Sequence, residues 1–185
     1  MDQRTEINYI NRIQKGETNL FSYFLENYSQ SVYTLIIRIV NSREDAEELT
    51  QDVFLKAFKK LDTYRGDCNF STWLYRIAYN TAISSVRKRK IIYPAIDENI
   101  INSIPDEDVD FLLGESENEL LLRKMEAAIE KLDPDEKSII VLYYLEKVPS
   151  EEVSQIFDIT QNNLKVKLHR IRKKLFIMIK NEMDK

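Results

Sequence analysis

Residues 148–175, VPSEEVSQIFDITQNNLKVKLHRIRKKL, decide the fold. A short helix capped at Ser150 is followed by a tight break at Asp158 and Ile159, and Thr160 is placed to cap a second, longer helix. Val153, Ile156, Phe157, Ile159, Leu164 and Leu168 recur at the spacing that holds two helices at a fixed angle. Gln161, Asn162, Asn163, Lys165, Val166 and His169 then face outward. From Lys165 to Lys174 there are six cations and no carboxylate. This is a helix-turn-helix whose second helix fits a DNA major groove, where amides and cations meet base edges. A basic helix packed in a bundle without a ligand satisfies the same pattern, although the caps, the turn and the charge all agree with the first reading.

Just upstream, KLDPDEKS (131–138) sets Asp133 before Pro134 at a first helical position, with Asp135 and Glu136 in the first turn. That is a strong helix start, and the helix is expected to run to about Glu146. Composition favours the same architecture throughout: three glycines, four prolines and 43% hydrophobic residues in a 185-residue chain predict an all-α, globular protein. The N-terminus has no apolar signal core, and the run VYTLIIRIV (32–40) is broken by Arg38 and too short to cross a bilayer. A cytoplasmic protein without membrane insertion is the expectation. One cysteine and one histidine allow neither a disulfide within the chain nor a zinc site of ordinary spacing. No metal or other cofactor is expected, and Cys68 reads as a reduced thiol.

The net charge of −4 is unevenly placed. Residues 1–90 carry +3, residues 91–118 carry −8 and residues 119–185 carry +1. The middle segment, IIYPAIDENIINSIPDEDVDFLLGESEN, also holds two prolines and lacks sustained helical periodicity. It is expected to be an extended acidic linker between two slightly basic helical domains, 1–90 and 119–185.

In the first domain, apolar residues at helical spacing run through 4–14 and 18–41. SRED at Ser42 opens a further helix with a capping-box start. Its inward stripe is Ala46, Leu49, Val53, Ala57 and Leu61. A second stripe, Asp45, Glu48, Gln51, Asp52 and Leu55, rings an exposed leucine with polar groups, which describes either a solvated face or a partner surface. The stretch NFSTWLYRIAYNTAISSVRKRK (69–90) follows. Leu74, Ile77, Ala78 and Thr81 share an inner face, and Arg76, Asn80, Ile83, Arg87 and Lys90 share another. Such a basic stripe beside Trp73 and the tyrosines can track phosphates and stack on unpaired bases. Equally, the rings can be core and the cations a solvated helix end.

Taken together, DAEELTQDVF, FSTWLYRIAYN and the helix-turn-helix, in this order around a short linker, resemble bacterial RNA polymerase sigma factors of the extracytoplasmic-function (ECF) type. The pattern departs from the family at Asp158, where glycine is common in the turn, and at Ser154, where alanine usually packs. The resemblance implies that Asp45, Glu48, Gln51, Asp52 and Leu55 dock on the β′ clamp helices of core RNA polymerase. It implies that Asn69, Ser71, Trp73, Arg76 and Asn80 recognise the promoter minus-ten element as its strands separate, with Arg87, Lys88, Arg89 and Lys90 on phosphates. Thr160, Gln161, Asn162, Asn163, Lys165, Val166, His169 and Arg170 would meet the minus-thirty-five element. The polymerase β flap and an anti-sigma factor are further implied partners, and no catalysis is required. Two promoter elements about two helical turns apart lie roughly 70 Å from each other, and an extended linker of this length reaches about 90 Å. The resemblance implies that the linker threads polymerase channels that otherwise hold nucleic acid, its carboxylates mimicking phosphates, the alternative being a solvated spacer; in the free protein it is expected to lie near the basic helices and compete with DNA phosphates. A stand-alone helix-turn-helix regulator would need dimer contacts, and this chain shows no heptad for them. An enzyme acting on nucleic acid would need a metal or acid-base cluster that the sequence lacks.

Overall fold

The computed structural model describes residues 3–87, 96–114 and 119–183, which hold ten α-helices. α1 (Gln3–Gln14), α2 (Ser22–Val40), α3 (Arg43–Lys59) and α4 (Phe70–Arg87) form the first bundle. α5 (Glu98–Ser103) and α6 (Asp106–Gly114) follow, and then α7 (Glu119–Glu130), α8 (Pro134–Ile140), α9 (Ser150–Ile156) and α10 (Gln161–Met183). Among the described residues no strand occurs, so the all-α expectation holds.

The starts of these helices follow from local chemistry. Ser42 accepts a hydrogen bond from the Asp45 amide at 3.3 Å, and Asp133 accepts one from the Glu136 amide at 2.9 Å with Pro134 at the first turn. α9 differs from its expectation. Pro149 occupies the capping position and Ser150 is already the first helical residue, so no side chain caps it.

α2 is the hub of the first bundle. Phe24, Val32, Leu35 and Ile36 are fully buried on it, against Val53 and Ala57 of α3 and Phe70, Leu74 and Ala78 of α4. Burying side chains of this kind stabilises by roughly 1.5–3 kcal/mol each relative to exposure. The same apolar cluster continues into the second half of the chain through Leu132, Ile139, Leu142, Val153 and Ile156. α2 packs on α8, and α4 packs on α9. An ion-pair joint spans the two halves: Arg38 on α2 donates to Glu130 at 2.9 Å, and the buried Lys137 ammonium lies 3.0 Å from the same carboxylate.

The acidic middle segment is not extended where it is described. Asp97 caps α5 through the Asn99 amide at 2.7 Å, and Asp106, Glu107 and Asp108 fill the first turn of α6, where the helix dipole favours them. Ile101 and Val109 are buried against Phe176 and Ile177 of α10. Too few apolar residues, split between two short helices, concealed this amphipathic pattern in the sequence.

Candidate nucleic-acid interface

α3 turns Ala46, Val53 and Ala57 fully inward. Consequently Glu48, Gln51 and Leu55 are exposed on its outer side, with Asp45 and Asp52 half-buried beside them. Leu55 is 56% exposed in mid-helix. Phe58, one turn further on and 39% exposed, extends the apolar surface, although it also packs on Phe21 with ring centroids 5.1 Å apart. Sequence periodicity did not single out Phe58, because an apolar residue adjoining the inward stripe reads as core.

The loop before α4 turns at Gly66, whose φ of +78° suits glycine. It is braced by the Tyr64 hydroxyl, which donates to the Cys68 carbonyl at 2.7 Å. Phe70 anchors the helix start in the core, 4.2 Å from the Phe24 ring. Trp73 lies 5.6 Å from Phe70 and 5.5 Å from Tyr64, so its ring has protein on one side and is only half-buried. Arg76 and Asn80 are exposed, one helical turn apart, and the Asn80 amide donates back to the Arg76 carbonyl at 2.9 Å. Arg87 is exposed at the end of α4. Ile83 does not behave as part of this stripe: it is buried in the apolar cluster, so packing of neighbouring elements covers that position. Lys88, Arg89 and Lys90 lie outside the described residues.

Carboxylates from the second half of the chain meet this surface. The Asn69 side chain donates to Glu152 Oε1 at 2.6 Å, and the Thr72 hydroxyl donates to the other oxygen of that carboxylate. Arg76 Nη2 lies 3.9 Å from Asp158. The Tyr79 hydroxyl donates to Asp135 at 2.8 Å, and its ring packs edge-on against Phe157 at 4.6 Å. Burial, followed by the Asp135 bond, raises the Tyr79 phenol well above its ordinary pKa. Ser71 lines a cleft of about 400 Å³ between the two halves, together with Asn69, Tyr75 and Glu152. Burial pushes the Tyr75 phenol up to about 12, so it stays neutral there. Thr72, Tyr79 and Glu152 had no distinguishing sequence signal, since only the packing of α9 on α4 joins them.

In the helix-turn-helix, Val153, Ile156, Leu164 and Leu168 are buried as expected, with Phe157 and Ile159 half-buried. Asp158 adopts a left-handed φ of 56°, filling the turn position where a glycine would carry no steric cost. The Ser154 hydroxyl is satisfied within its own helix by the Glu151 carbonyl at 2.6 Å, which lets a polar residue stand between the helices. Thr160 accepts from the Asn163 amide at 3.2 Å. Gln161, Asn162, Asn163, Lys165 and Val166 are exposed. Farther along α10, Asp106 faces His169 at 3.4 Å and Lys173 at 2.9 Å, Glu98 meets Arg170 at 2.6 Å, and Asp110 pairs with Arg172. The Lys173 hydrogen bond holds the Asp106 carboxyl below its usual range. Thus the first turns of α10 are open and the next are clasped by α5 and α6.

α3 thus carries an exposed leucine among polar groups, α4 an aromatic and polar face, and α9 with α10 a helix-turn-helix packed on that face. Family models match the chain: sigma-70 region 2 matches residues 24–91, and sigma-70 region 4 matches residues 122–175. Over 92% of each chain it is 31% identical to an ECF RNA polymerase sigma-E factor of Escherichia coli. It is 30% identical to one from Haemophilus influenzae, over 99% of this chain and 97% of that one. The chain belongs to the ECF RNA polymerase sigma factors, which direct promoter-specific transcription initiation. Among solved structures, CnrH in complex with the cytosolic domain of CnrY has the same fold, with a TM-score of 0.65 and 18% identity, covering 90% of this chain and 92% of that one. The sigma factor RpoE in complex with the anti-sigma factor NepR from Bartonella quintana aligns with a TM-score of 0.63 and 21% identity, covering 86% of this chain and 96% of that one. Among the described residues no helix is long and apolar enough to cross a membrane, and no cluster of candidate metal ligands occurs.

Proposed function

We propose that the three surfaces divide the work of initiation, with α3 docking on the β′ clamp helices of core RNA polymerase, α4 and its preceding loop capturing the minus-ten element, and α10 reading the minus-thirty-five element. The reading extends to the domain limits 1–90 and 119–185, to a β-flap contact by the second domain, and to control by an anti-sigma factor. The observation that carries it is the outer side of α3, where Leu55 stands 56% exposed among Glu48, Gln51 and Asp52. An exposed leucine ringed by polar groups suits a helical partner with basic residues around an apolar spot.

On α4 and the loop before it, Asn69 and Ser71 supply hydrogen-bonding groups to an unstacked base, Trp73 a ring face, Arg76 a charge and Asn80 an amide. Opening a base-pair step costs roughly 1.4 kcal/mol of stacking. Groups that bind only the extruded base lower the free energy of the melted state and leave the duplex unaffected. On α10, Asn162 and Asn163 can pair with adenine edges and Lys165 with guanine. No covalent step is required, in keeping with initiation factors that act by binding.

Run-off transcription with purified core polymerase and a genomic promoter library tests the whole assignment. Transcripts starting at a common pair of upstream elements are expected only when this protein is added. Transcription unaffected by its addition, or binding to palindromic DNA as a dimer without polymerase, would instead support a stand-alone regulator.

A further inference from the structure

Two of the five groups assigned to the minus-ten element, Asn69 and Arg76, already face carboxylates of the second domain, as do their neighbours Thr72 and Tyr79. Asn69 and Thr72 both direct donors at one carboxylate, Glu152, with the Asn69 bond at 2.6 Å. Thr72 is only 2% exposed, and α9 is what covers it. Around that contact Asp158 faces Arg76 at 3.9 Å and Asp135 accepts from Tyr79 at 2.8 Å. Three carboxylates of one domain therefore sit on four hydrogen-bonding or cationic groups of the other. A carboxylate held by an amide N–H and a hydroxyl O–H presents two anionic oxygens to the donors that would otherwise hold a phosphate oxygen or an acceptor edge of a base.

We infer that Glu152 is an internal ligand of the minus-ten site, so that in the free protein α9 plugs the surface that must receive the melted strand. The inference rests on the assignment of α4 to minus-ten recognition. The geometry makes the two occupants exclusive at Asn69, whose side-chain donor is committed to Glu152 while α9 is seated over the neighbouring Thr72. Opening requires α9 to leave α4, which uncovers the Tyr79–Phe157 and Val153 packing as well as the polar contacts. The α3 face lies outside this closure, so polymerase can engage the closed protein and its binding to the second domain can draw α9 away. DNA capture is thereby coupled to polymerase binding through differential affinity for the open state.

The test uses the full-length protein with a fluorescent, mixed-sequence single-stranded DNA 12-mer in anisotropy titrations. Glu152→Gln is compared with Glu151→Gln, which removes the same charge from an exposed neighbouring side chain. A rise in affinity of about tenfold for Glu152→Gln, against less than twofold for Glu151→Gln, is expected, and adding Asn69→Ala to Glu152→Gln should abolish most of the gain. Small-angle scattering should show a larger radius of gyration for a Glu152→Gln/Asp158→Asn variant than for the wild type. Equal gains for Glu152→Gln and Glu151→Gln, with no change in scattering, would overturn the plug. The underlying assignment is scored separately with holoenzyme: if Asn69→Ala slows promoter opening there while the free-protein gains are equal, the minus-ten site stands and the plug falls. If Asn69→Ala and Arg76→Ala leave opening unchanged, the assignment itself fails and the plug with it.

Discussion

Helices α3 and α4 pack side by side in one bundle, yet their outer faces meet different surroundings. α3 presents Glu48, Gln51 and Leu55 to solvent. α4 presents Asn69, Thr72, Arg76 and Tyr79 to carboxylates of the second domain. The difference lies in charge and chemistry more than in shape. α3 is carboxylate-rich and would repel the acidic first turns of α8 and α9, whereas α4 offers donors and an arginine that attract them. A surface that holds an anionic polymer, as proposed for α4, would also hold the nearest anionic side chains of its own chain. Under the proposed assignments the comparison implies an order of events, with polymerase docking first and the DNA surface exposed afterwards.

The largest expected effect comes from destroying the open face. Replacing Gln51, Asp52 and Leu55 together with Ala should weaken binding to core polymerase by about 3 kcal/mol, more than a hundredfold, if Leu55 is the central anchor. Calorimetric titration measures it, and circular dichroism should show unchanged helix content because these side chains contribute little to the core. Unchanged affinity would move the docking surface elsewhere and remove one side of the comparison.

Next comes the joint that supports the closed side. Glu130→Ala leaves Lys137, 1% exposed, without its carboxylate and also frees Arg38. A fully buried broken pair costs 3–5 kcal/mol. Because Glu130 is partly exposed, solvent screening reduces this to about 2 kcal/mol, visible as a lower urea midpoint. Burial raises the Glu130 carboxyl, but the bonds from Lys137 and Arg38 outweigh it and the net pKa is lowered. Its stabilisation is therefore present above the unfolded carboxylate pKa and lost as pH falls through the depressed folded value. The acid limb of stability should flatten in the variant. A limb identical to that of the wild type would show the pair to be energetically idle.

How much of this was legible beforehand depended on whether the signal was local. Asp133–Pro134, Ser42 and Thr160 announce helix starts because capping needs only three or four neighbouring residues. The inward stripes of α3 and of the helix-turn-helix were equally clear. Ile83 was misplaced because it lies only about 20° around the helix from the exposed Arg76, and its burial depends on what packs against α4 there, which spacing does not reveal. Segment 91–118 was read as extended because its carboxylates outnumber the few apolar residues, Ile101 and Val109 among them, that fold α5 and α6 onto α10. Glu152 could not be read at all. Its partners lie 83 and 80 residues away in sequence, and only tertiary packing brings them together.

On the covered face, Asn80 separates DNA chemistry from interdomain packing because it is exposed and bonds only within α4. Asn80→Ala should slow promoter opening by about 1 kcal/mol, roughly fivefold, while closed-complex affinity stays constant. A pre-melted template should restore activity, and failure to restore it would argue that Asn80 acts before opening. On the α10 turns left uncovered, single Ala substitutions at Asn162, Asn163 and Lys165 should relax base preference by about 1–3 kcal/mol where the contact is bidentate. A uniform loss over all sequences would make them phosphate contacts.

The smallest effect concerns the clasp of α5 and α6 on α10, where geometry divides the linker's carboxylates into two kinds. Asp106 and Asp110, one helical turn apart on α6, pair with His169, Lys173 and Arg172, whereas Glu107 and Asp108 have exposed side chains that make no ion pair among the described residues. The paired carboxylates are largely exposed, at 64% and 65%, so solvent and salt screen each pair and its contribution is small. Asp106→Asn/Asp110→Asn should raise the free protein's affinity for duplex DNA a few-fold at low ionic strength. The gain should fade as the screening length falls toward roughly 10 Å at 0.1 M salt. Glu107→Gln/Asp108→Asn removes the same charge without touching the clasp. If the two variants gain equally, the linker acts only through net charge, and if neither gains it is a spacer. A larger gain for the first pair, with sequence preference unaltered, would show that both DNA-facing helices of the free protein are occupied by the chain's own carboxylates while α3 alone stays open.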